Sequence, residues 1–378
     1  MKILLIGNLP EDRQESMRRF TEALRDGFLA RGHAVTVLTP TLRLARLGPA
    51  YRYNGISKYL GYFDKFVLFP RTLRRLLASS RPDVVHFTDH AGAVYHSWMR
   101  GIPFLTTCHD LFEVRAACGQ SARKTVGRGG KLYQTWIRNS LARLPHVACV
   151  SRSTHAAATH LTGLPESQLS IIPNALNYPY KPVPVEVART ALAGLEPTLP
   201  EPNRGGFLLW VGGEQWYKNR EGLLTIYAAL RQQISPAPCL VIVGPPLCAE
   251  HVALATSLKI LPHIVQLTGI SSAKLEALYN LAEGFLFPSW EEGFGWPVAE
   301  AQACGCPVFA SNRAPMNEVG GPHSVYFDPA DPAGAALLIA QAWPQRRVLA
   351  GHALESAARW RPGLMLDAYE ALYRRLSK

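Results

Sequence analysis

Two carboxylates, Glu292 and Glu300, stand with seven residues between them in the stretch Glu292-Gly-Phe-Gly-Trp-Pro-Val-Ala-Glu300. Gly293 and Gly295 leave the backbone open to close approach by a ligand, because no Cβ projects at either position. Pro297 suits the first position of a helix, where its missing N–H costs nothing, and Gly305 suits the end of that helix. A glycine loop feeding a helix start gathers free N–H groups and the positive end of the helix dipole, which is the geometry of an anion site. With the helix beginning at Pro297, Glu300 falls in its first turn and Glu292 just ahead of it. Two carboxylates around an anion site suit a ligand that carries hydroxyl groups as well as phosphate. A plain βαβ unit with an acidic first turn is the alternative.

Two further groups carry chemistry. Val211-Gly-Gly-Glu-Gln-Trp-Tyr-Lys-Asn219 follows an apolar run, and a glycine turn with Lys218 close by makes a diphosphate clamp, the ammonium acting as a point charge. His109 follows the apolar run Phe104–Thr107, a place where a lone histidine is structural more often than catalytic. His86, Asp89 and His90 supply three candidate metal ligands on one loop, and Cys304 and Cys306 flank a glycine with no second pair at zinc-site spacing. No Asp-x-Asp occurs in the chain.

The elements that must position these groups alternate in the βα manner. Residues 2–7 predict a strand, 16–30 a helix with Met17, Phe20, Leu24 and Phe28 on one face, and 34–38 the next strand. No G-x-G-x-x-G follows the first strand, so a dinucleotide-binding reading loses its support. Further strands are predicted at 83–87, 104–107, 146–151 and 169–173, and residues 116–131, rich in Arg, Lys and Gly, read as a mobile basic loop. A proline-rich stretch, 174–206, contains the linker near its start. A second alternating set follows, with strands at 207–211, 239–243, 264–267, 285–287 and 307–310.

The bulk numbers bound the class. With 378 residues and 48% hydrophobic composition, the chain can build two globular domains with their own cores. No run reaches the roughly 20 apolar residues of a membrane-spanning helix, and the opening ten residues read as a buried strand rather than a signal peptide. Seven scattered cysteines predict a reducing cytoplasm. The formal charge is +12, and it is lopsided: residues 1–180 carry a balance of +13 and the remainder −1. Residues 42–77 alternate Arg, Lys and Tyr with Leu and Phe, as a basic amphipathic segment resting on anionic lipid would, or as helices packed on a sheet would. Nucleic acid is the weaker reading, since no recognition motif accompanies the charge.

The stretch Glu292–Glu300, followed by Ala301, Ala303-Cys304-Gly305, Pro307-Val308 and Glu318, resembles the signature of the retaining glycosyltransferases of family 4, group 1. The resemblance runs from Lys2 to about Leu372. It implies an α/β protein of the GT-B fold: two Rossmann-like, doubly wound parallel-sheet domains facing a central cleft. The domains would be 1–176 on the acceptor side and 177–360 on the nucleotide-sugar side, with a helix at 361–378 crossing back to the first. It implies catalytic roles for His109, Lys218 and Glu292. Donor binding would involve Gly212, Gly213, Lys218, Asn219, Gly269, Ile270, Glu292, Gly293, Phe294, Gly295, Trp296 and Glu300, with the Gly269-Ile270 backbone at the nucleobase. The family usually has an arginine where this chain has Gly213, and Arg220 stands as the alternative cation.

On this reading the protein moves a hexosyl group from a nucleotide-sugar to a glycan or lipid-linked acceptor, in cell-envelope polysaccharide or glycolipid synthesis. No metal or other cofactor is expected. The partners would be the donor, the acceptor and an anionic membrane surface met through 42–77, with no nucleic acid, and the location cytoplasmic and peripheral on the inner face of the membrane. Two other functions fit the same fold: a nucleotide-sugar epimerase and a non-catalytic nucleotide-sugar-binding scaffold.

Overall fold

The computed structural model describes residues 1–12, 14–46, 60–121, 123–195, 197, 199 and 205–378, so part of the basic segment 42–77 (47–59) lies outside the described residues. The chain divides into two compact units, Met1–Asn177 with Pro362–Lys378, and Tyr178–Arg361.

The first unit is built on β1 (Lys2–Ile6), β2 (Ala34–Leu38), β3 (Val84–Phe87), β4 (Phe104–Cys108), β5 (Val147–Cys149) and β6 (Leu169–Ile171), ordered β2-β1-β3-β4-β5-β6. Every pairing is parallel. Parallel strands covered on both faces read as continuous apolar runs, and here residues 3–6 and Val84–Phe87 are buried at every position, with Leu4, Ile6, Val85 and Phe87 joining one core on one face. The order reverses between β1 and β3, which places a crevice at their C-terminal ends.

The helix Glu15–Ala30 buries Phe20, Leu24 and Phe28 at four-residue spacing while Glu15 pairs with Arg18 and Arg19 on the outer face. Phe69–Ser80, inside the basic segment, is a helix that buries Phe69, Leu73 and Leu77 and leaves Arg71, Arg74 and Arg75 exposed. The loop expected at 116–131 is shorter: the helix Phe112–Ala117 ends just inside it and Arg128–Leu141 begins just inside it, with the extended Gly127 opening the second helix. The buried Val114, Ile137 and Leu141 anchor these two helices in the core, outside the loop itself.

The last helix, Pro362–Leu376, belongs to this unit and buries Met365, Leu366, Tyr369, Leu372 and Tyr373, a 3–4 residue periodicity. Its tyrosines meet polar groups of the sheet. The Tyr373 hydroxyl lies 2.6 Å from His86 Nδ1, His86 Nε2 lies 2.7 Å from Thr107 Oγ1, and Thr107 Oγ1 lies 2.7 Å from the Tyr369 hydroxyl.

The second unit carries β7 (Phe207–Val211), β8 (Cys239–Val243), β9 (Ile264–Leu267), β10 (Gly284–Phe287), β11 (Val308–Ser311) and β12 (Val325–Phe327), ordered β12-β11-β10-β7-β8-β9 and parallel throughout. This is the doubly wound order whose crevice lies where the direction of winding reverses, between β7 and β10. The proline-rich stretch is largely part of this unit: Val185–Ala191 is a helix, and the backbone N–H of Val183 donates to Asn280 on the helix Ser272–Leu281. Its Pro184 precedes the helix, where proline is tolerated because it breaks no helical hydrogen bond.

Burial pushes the imidazole of His86 from an ordinary 6.5 down to about 3 and that of His109 down to about 4. Between pH 6.5 and about 4 the unfolded chain therefore takes up protons that the folded unit refuses, so stability falls as pH falls through that window and these groups add no slope above it. We expect the thermal midpoint to drop from pH 7 to pH 4.5, and His86→Gln to shrink that drop. An equal drop in the variant would show that His86 does not contribute.

Candidate functional site

Two loops leave the second sheet side by side at its reversal, 212–219 after β7 and 288–295 after β10. Three bonds join them. The Trp290 N–H donates to the Tyr217 carbonyl at 2.7 Å, the Asn219 amide nitrogen donates to the Pro288 carbonyl at 2.8 Å, and Lys218 Nζ meets Glu292 Oε1 at 2.7 Å. Asn219 also caps the helix Arg220–Leu230, its Oδ1 accepting from the Gly222 N–H at 3.1 Å, and it does so from a left-handed backbone, φ +52°. Asparagine reaches that region more readily than most side chains.

The ion pair is largely shielded from water, with the Lys218 and Glu292 side chains 12% and 9% exposed. The ammonium also lies 5.1 Å from the Phe287 ring centroid, a cation–π distance. An ammonium has three N–H donors, so one bond to Glu292 leaves it able to grip an anion as well.

Beside these loops, the end of β8 presses on the β7 loop. Gly244 has φ +152°, and a Cβ placed there would lie 2.0 Å from the Gly212 carbonyl oxygen, so only glycine fits. Arg220 does not stand in for the cation missing at Gly213. It is 4% exposed, its Nη1 and Nη2 donate to the carbonyls of Pro246 and Pro245 at 3.1 and 2.9 Å, and its guanidinium lies 5.1 Å from the Trp210 ring. The buried arginine is spent on folding the β8 loop.

The helix after the glycine loop begins at Trp296, one residue earlier than Pro297, and runs to Ala303. Gly295 turns the chain in the left-handed region, φ +94°, which lets Trp296 enter the helix directly. Glu300 is consequently the fifth helical residue, in the second turn rather than the first. It is buried, and the Tyr279 hydroxyl donates to its Oε2 at 3.1 Å. Burial, followed by the charge of Glu300, pushes the Tyr279 phenol well above its ordinary range, so it stays a donor.

Phe294 does not face outward; its ring packs edge-on against Trp360 at 5.2 Å and against Trp296 at 5.8 Å, anchoring the loop. Gly269, exposed at φ +65°, and the half-buried Ile270 end β9 just before Ser271, which caps the helix Ser272–Leu281.

The structure thus brings Gly212, Gly213, Lys218 and Asn219 together with Glu292–Trp296 at the reversal. Glu300 sits on the helix that follows them, and Gly269 with Ile270 at the end of another strand.

His109 lies in the first unit, at the C-terminal end of β4, and is 3% exposed. Its Nε2 donates to the Thr88 carbonyl at 3.0 Å, and the Phe20 ring meets it edge-on at 4.7 Å. The metal reading of His86, Asp89 and His90 fails. His86 uses both ring nitrogens on hydroxyls and Asp89 accepts from the Ala91 N–H at 2.8 Å. Among the described residues no cluster of three or more His, Cys, Asp or Glu side chains is placed to hold a metal.

Sequence reasoning passed over Tyr279 and the Tyr217–Trp290 backbone bond. The first carries no local signal, since it reads as a core aromatic. The second depends on the strand order alone.

Two doubly wound units of this topology define the GT-B class of fold. Residues 17–178 match Glycosyltransferase Family 4 and residues 196–359 match Glycosyl transferases group 1, and the chain belongs to that family. Among curated relatives it is similar to the serotype-specific mannosyltransferase WbdA of Escherichia coli, 25% identical over 301 residues, which is 75% of this chain and 36% of WbdA. The match therefore spans about a third of that relative's length. Among solved structures, sucrose-phosphate synthase from Thermosynechococcus elongatus superposes with a TM-score of 0.74 at 20% identity, covering 100% of this chain and 99% of the other. HepE of Anabaena, solved with UDP and glucose, does so with a TM-score of 0.72 at 16% identity, covering 99% and 100%.

Asn219→Ala removes both a helix cap and a loop tie, and we expect it to cost about 2 kcal/mol in urea unfolding. Asn219→Gly, which tolerates the positive φ, should recover part of that loss. Equal stability of all three proteins would mean the tie bears no load.

Proposed function

We propose that the chain is a retaining, metal-independent hexosyltransferase that takes a nucleotide-sugar donor at the reversal of its second sheet. The observation that carries this is the Lys218–Glu292 pair held between two glycine loops and a helix start. Lys218 and the start of the helix Trp296–Ala303 carry the charge that develops on the departing diphosphate, where preorganised positive charge lowers the barrier most. Glu292, with the backbone of Gly293–Gly295, holds the sugar hydroxyls. Glu300 holds the ribose, Tyr279 fixing one of its oxygens. The Gly269-Ile270 backbone meets the base, and His109 keeps the catalytic role that the sequence pattern gives it. No side-chain base of high pKa is required. The acceptor is a glycan or lipid-linked sugar of the cell envelope, and the site of work is the cytoplasmic face of the membrane. The mannosyltransferase relative and the UDP-bound structural neighbour are consistent with this chemistry.

The test is donor turnover. A screen of UDP-, GDP- and ADP-sugars by thermal shift identifies the ligand, since a tight one raises apparent stability by mass action. Glu292→Gln keeps a hydrogen bond to Lys218, so it should fold normally while kcat falls at least about a hundredfold. Wild-type turnover in this variant would end the assignment. Interconversion of the sugar without any acceptor would favour an epimerase, and binding without transfer or hydrolysis a scaffold.

The membrane partner has a surface to match. Leu60, Phe63, Leu132 and Trp136 are exposed on the first unit, Leu132 at 76%. Phe66 meets Trp136 at 4.9 Å and Tyr62 meets Tyr133 at 6.2 Å, so both helical stretches contribute to one aromatic face. Exposed Arg128 and Lys131 border it. Aromatic and basic side chains together suit the headgroup region of an anionic bilayer. We expect the protein to float with phosphatidylglycerol vesicles at low salt and to come off as salt rises. Equal flotation with neutral vesicles, or none with either, refutes an anionic-lipid surface.

A further inference from the structure

His109 is the one proposed catalytic side chain in the first unit, and its ring is fixed from several elements. Nε2 points at a backbone carbonyl, that of Thr88 at 3.0 Å, and a carbonyl only accepts, so Nε2 carries the hydrogen. In the neutral ring Nδ1 is then an acceptor. Asn174, three residues beyond β6, places its amide nitrogen 3.5 Å from that Nδ1. The Thr154 hydroxyl donates to the His109 carbonyl at 3.3 Å, and Thr154 is itself held by Ser151 at the start of the helix Arg152–Thr162.

Asn174 is 1% exposed, and its Oδ1 is buried with no hydrogen-bond partner among the described residues. A buried carbonyl-type oxygen left unpaired costs free energy, and buried polar atoms in folded proteins nearly always find a partner. The carboxamide cannot be turned to hide this. With Oδ1 toward His109 two acceptors would face each other, Nδ1 and Oδ1.

We propose that Asn174 is the positioning residue of His109: its amide N–H fixes Nδ1 as an acceptor, and its unpaired Oδ1 takes a hydroxyl of the ligand that His109 serves. The inference rests on the catalytic reading of His109. The titratable and charged groups around the ring are Asp89 and His90 beyond β3, His86 on β3 and Asp110 next in the chain. Burial outweighs them and keeps the ring neutral at physiological pH. The carboxamide therefore meets an imidazole, not an imidazolium.

Asn174→Asp is the discriminating variant, because it keeps the shape and replaces the donor with a carboxylate. Long-range proton–nitrogen NMR on the full chain should show wild-type His109 as the Nε2–H tautomer. In Asn174→Asp the His109 titration should move up by about one unit or more, as a neighbouring carboxylate favours the imidazolium. kcat should fall about tenfold to a hundredfold, with an acid limb displaced by the same shift. Asn174→Ala should lose kcat without that displacement. The Nδ1–H tautomer in wild type, or an Asn174→Asp protein with unchanged titration, overturns the proposal. If the wild type transfers no sugar, the functional reading fails by itself while the tautomer and titration still judge the role of Asn174.

Discussion

The reversal of strand order between β7 and β10 is the constraint on which the rest of the second unit depends. It delivers two loops to one place, but it does not hold them there; the three bonds across them do. Two of these use backbone or a neutral amide and so are indifferent to charge. The third is the ion pair, the one of the three that an anionic ligand would contest. Under the proposed function, a diphosphate drawn to Lys218 would compete with Glu292 for the same ammonium, while the other two bonds would not compete and would keep the loops joined. That division separates holding the site open from responding to what enters it.

The pair also accounts for a carboxylate standing at a proposed anion site. Removing one member of a buried ion pair leaves an uncompensated charge and costs about 3–5 kcal/mol in the fully buried case. Lys218 and Glu292 are slightly exposed, so the cost here is smaller, yet it has the same sign. Glu292 is therefore held by Lys218, and on the proposed function a donor's sugar hydroxyls would meet a carboxylate that is already anchored. Arg220, the other cation nearby, is committed to two carbonyls of the β8 loop. On the proposed function, the diphosphate would then depend more heavily on Lys218 and on backbone N–H groups than it would with an arginine at position 213.

Much of this was legible in the chain. The glycine loop and its flanking strands could be read because glycine, proline and apolar runs act locally, and the strands at 207–211, 239–243 and 264–267 fall at those bounds. Glu300 was misplaced by one helical position because the helix start depends on Gly295 adopting a left-handed backbone, which composition allows but does not dictate. The region 116–131 misled only at its ends, which belong to two helices whose buried residues, Val114, Ile137 and Leu141, lie outside it. What could not be read at all were partnerships across the sheet. Arg220 looked available until its carbonyl partners on another loop were known, and Asn174 looked like a linker residue until β4 and β6 placed it near His109.

The first unit shows the same dependence on distant sequence in a stronger form. His86 and Thr107 are buried polar groups on adjacent strands, and a buried imidazole without partners would destabilise the core. The partners come from Tyr369 and Tyr373, in a helix that follows the whole second unit in the chain. The chain therefore crosses between units twice, near residue 177 and near residue 361, and the first sheet cannot satisfy its interior until the last helix is in place. The cost is long-range closure, which grows only slowly with loop length. The gain is that the ring of Phe20, packed against His86, His109 and Tyr369 alike, ties the closing helix to the proposed catalytic histidine.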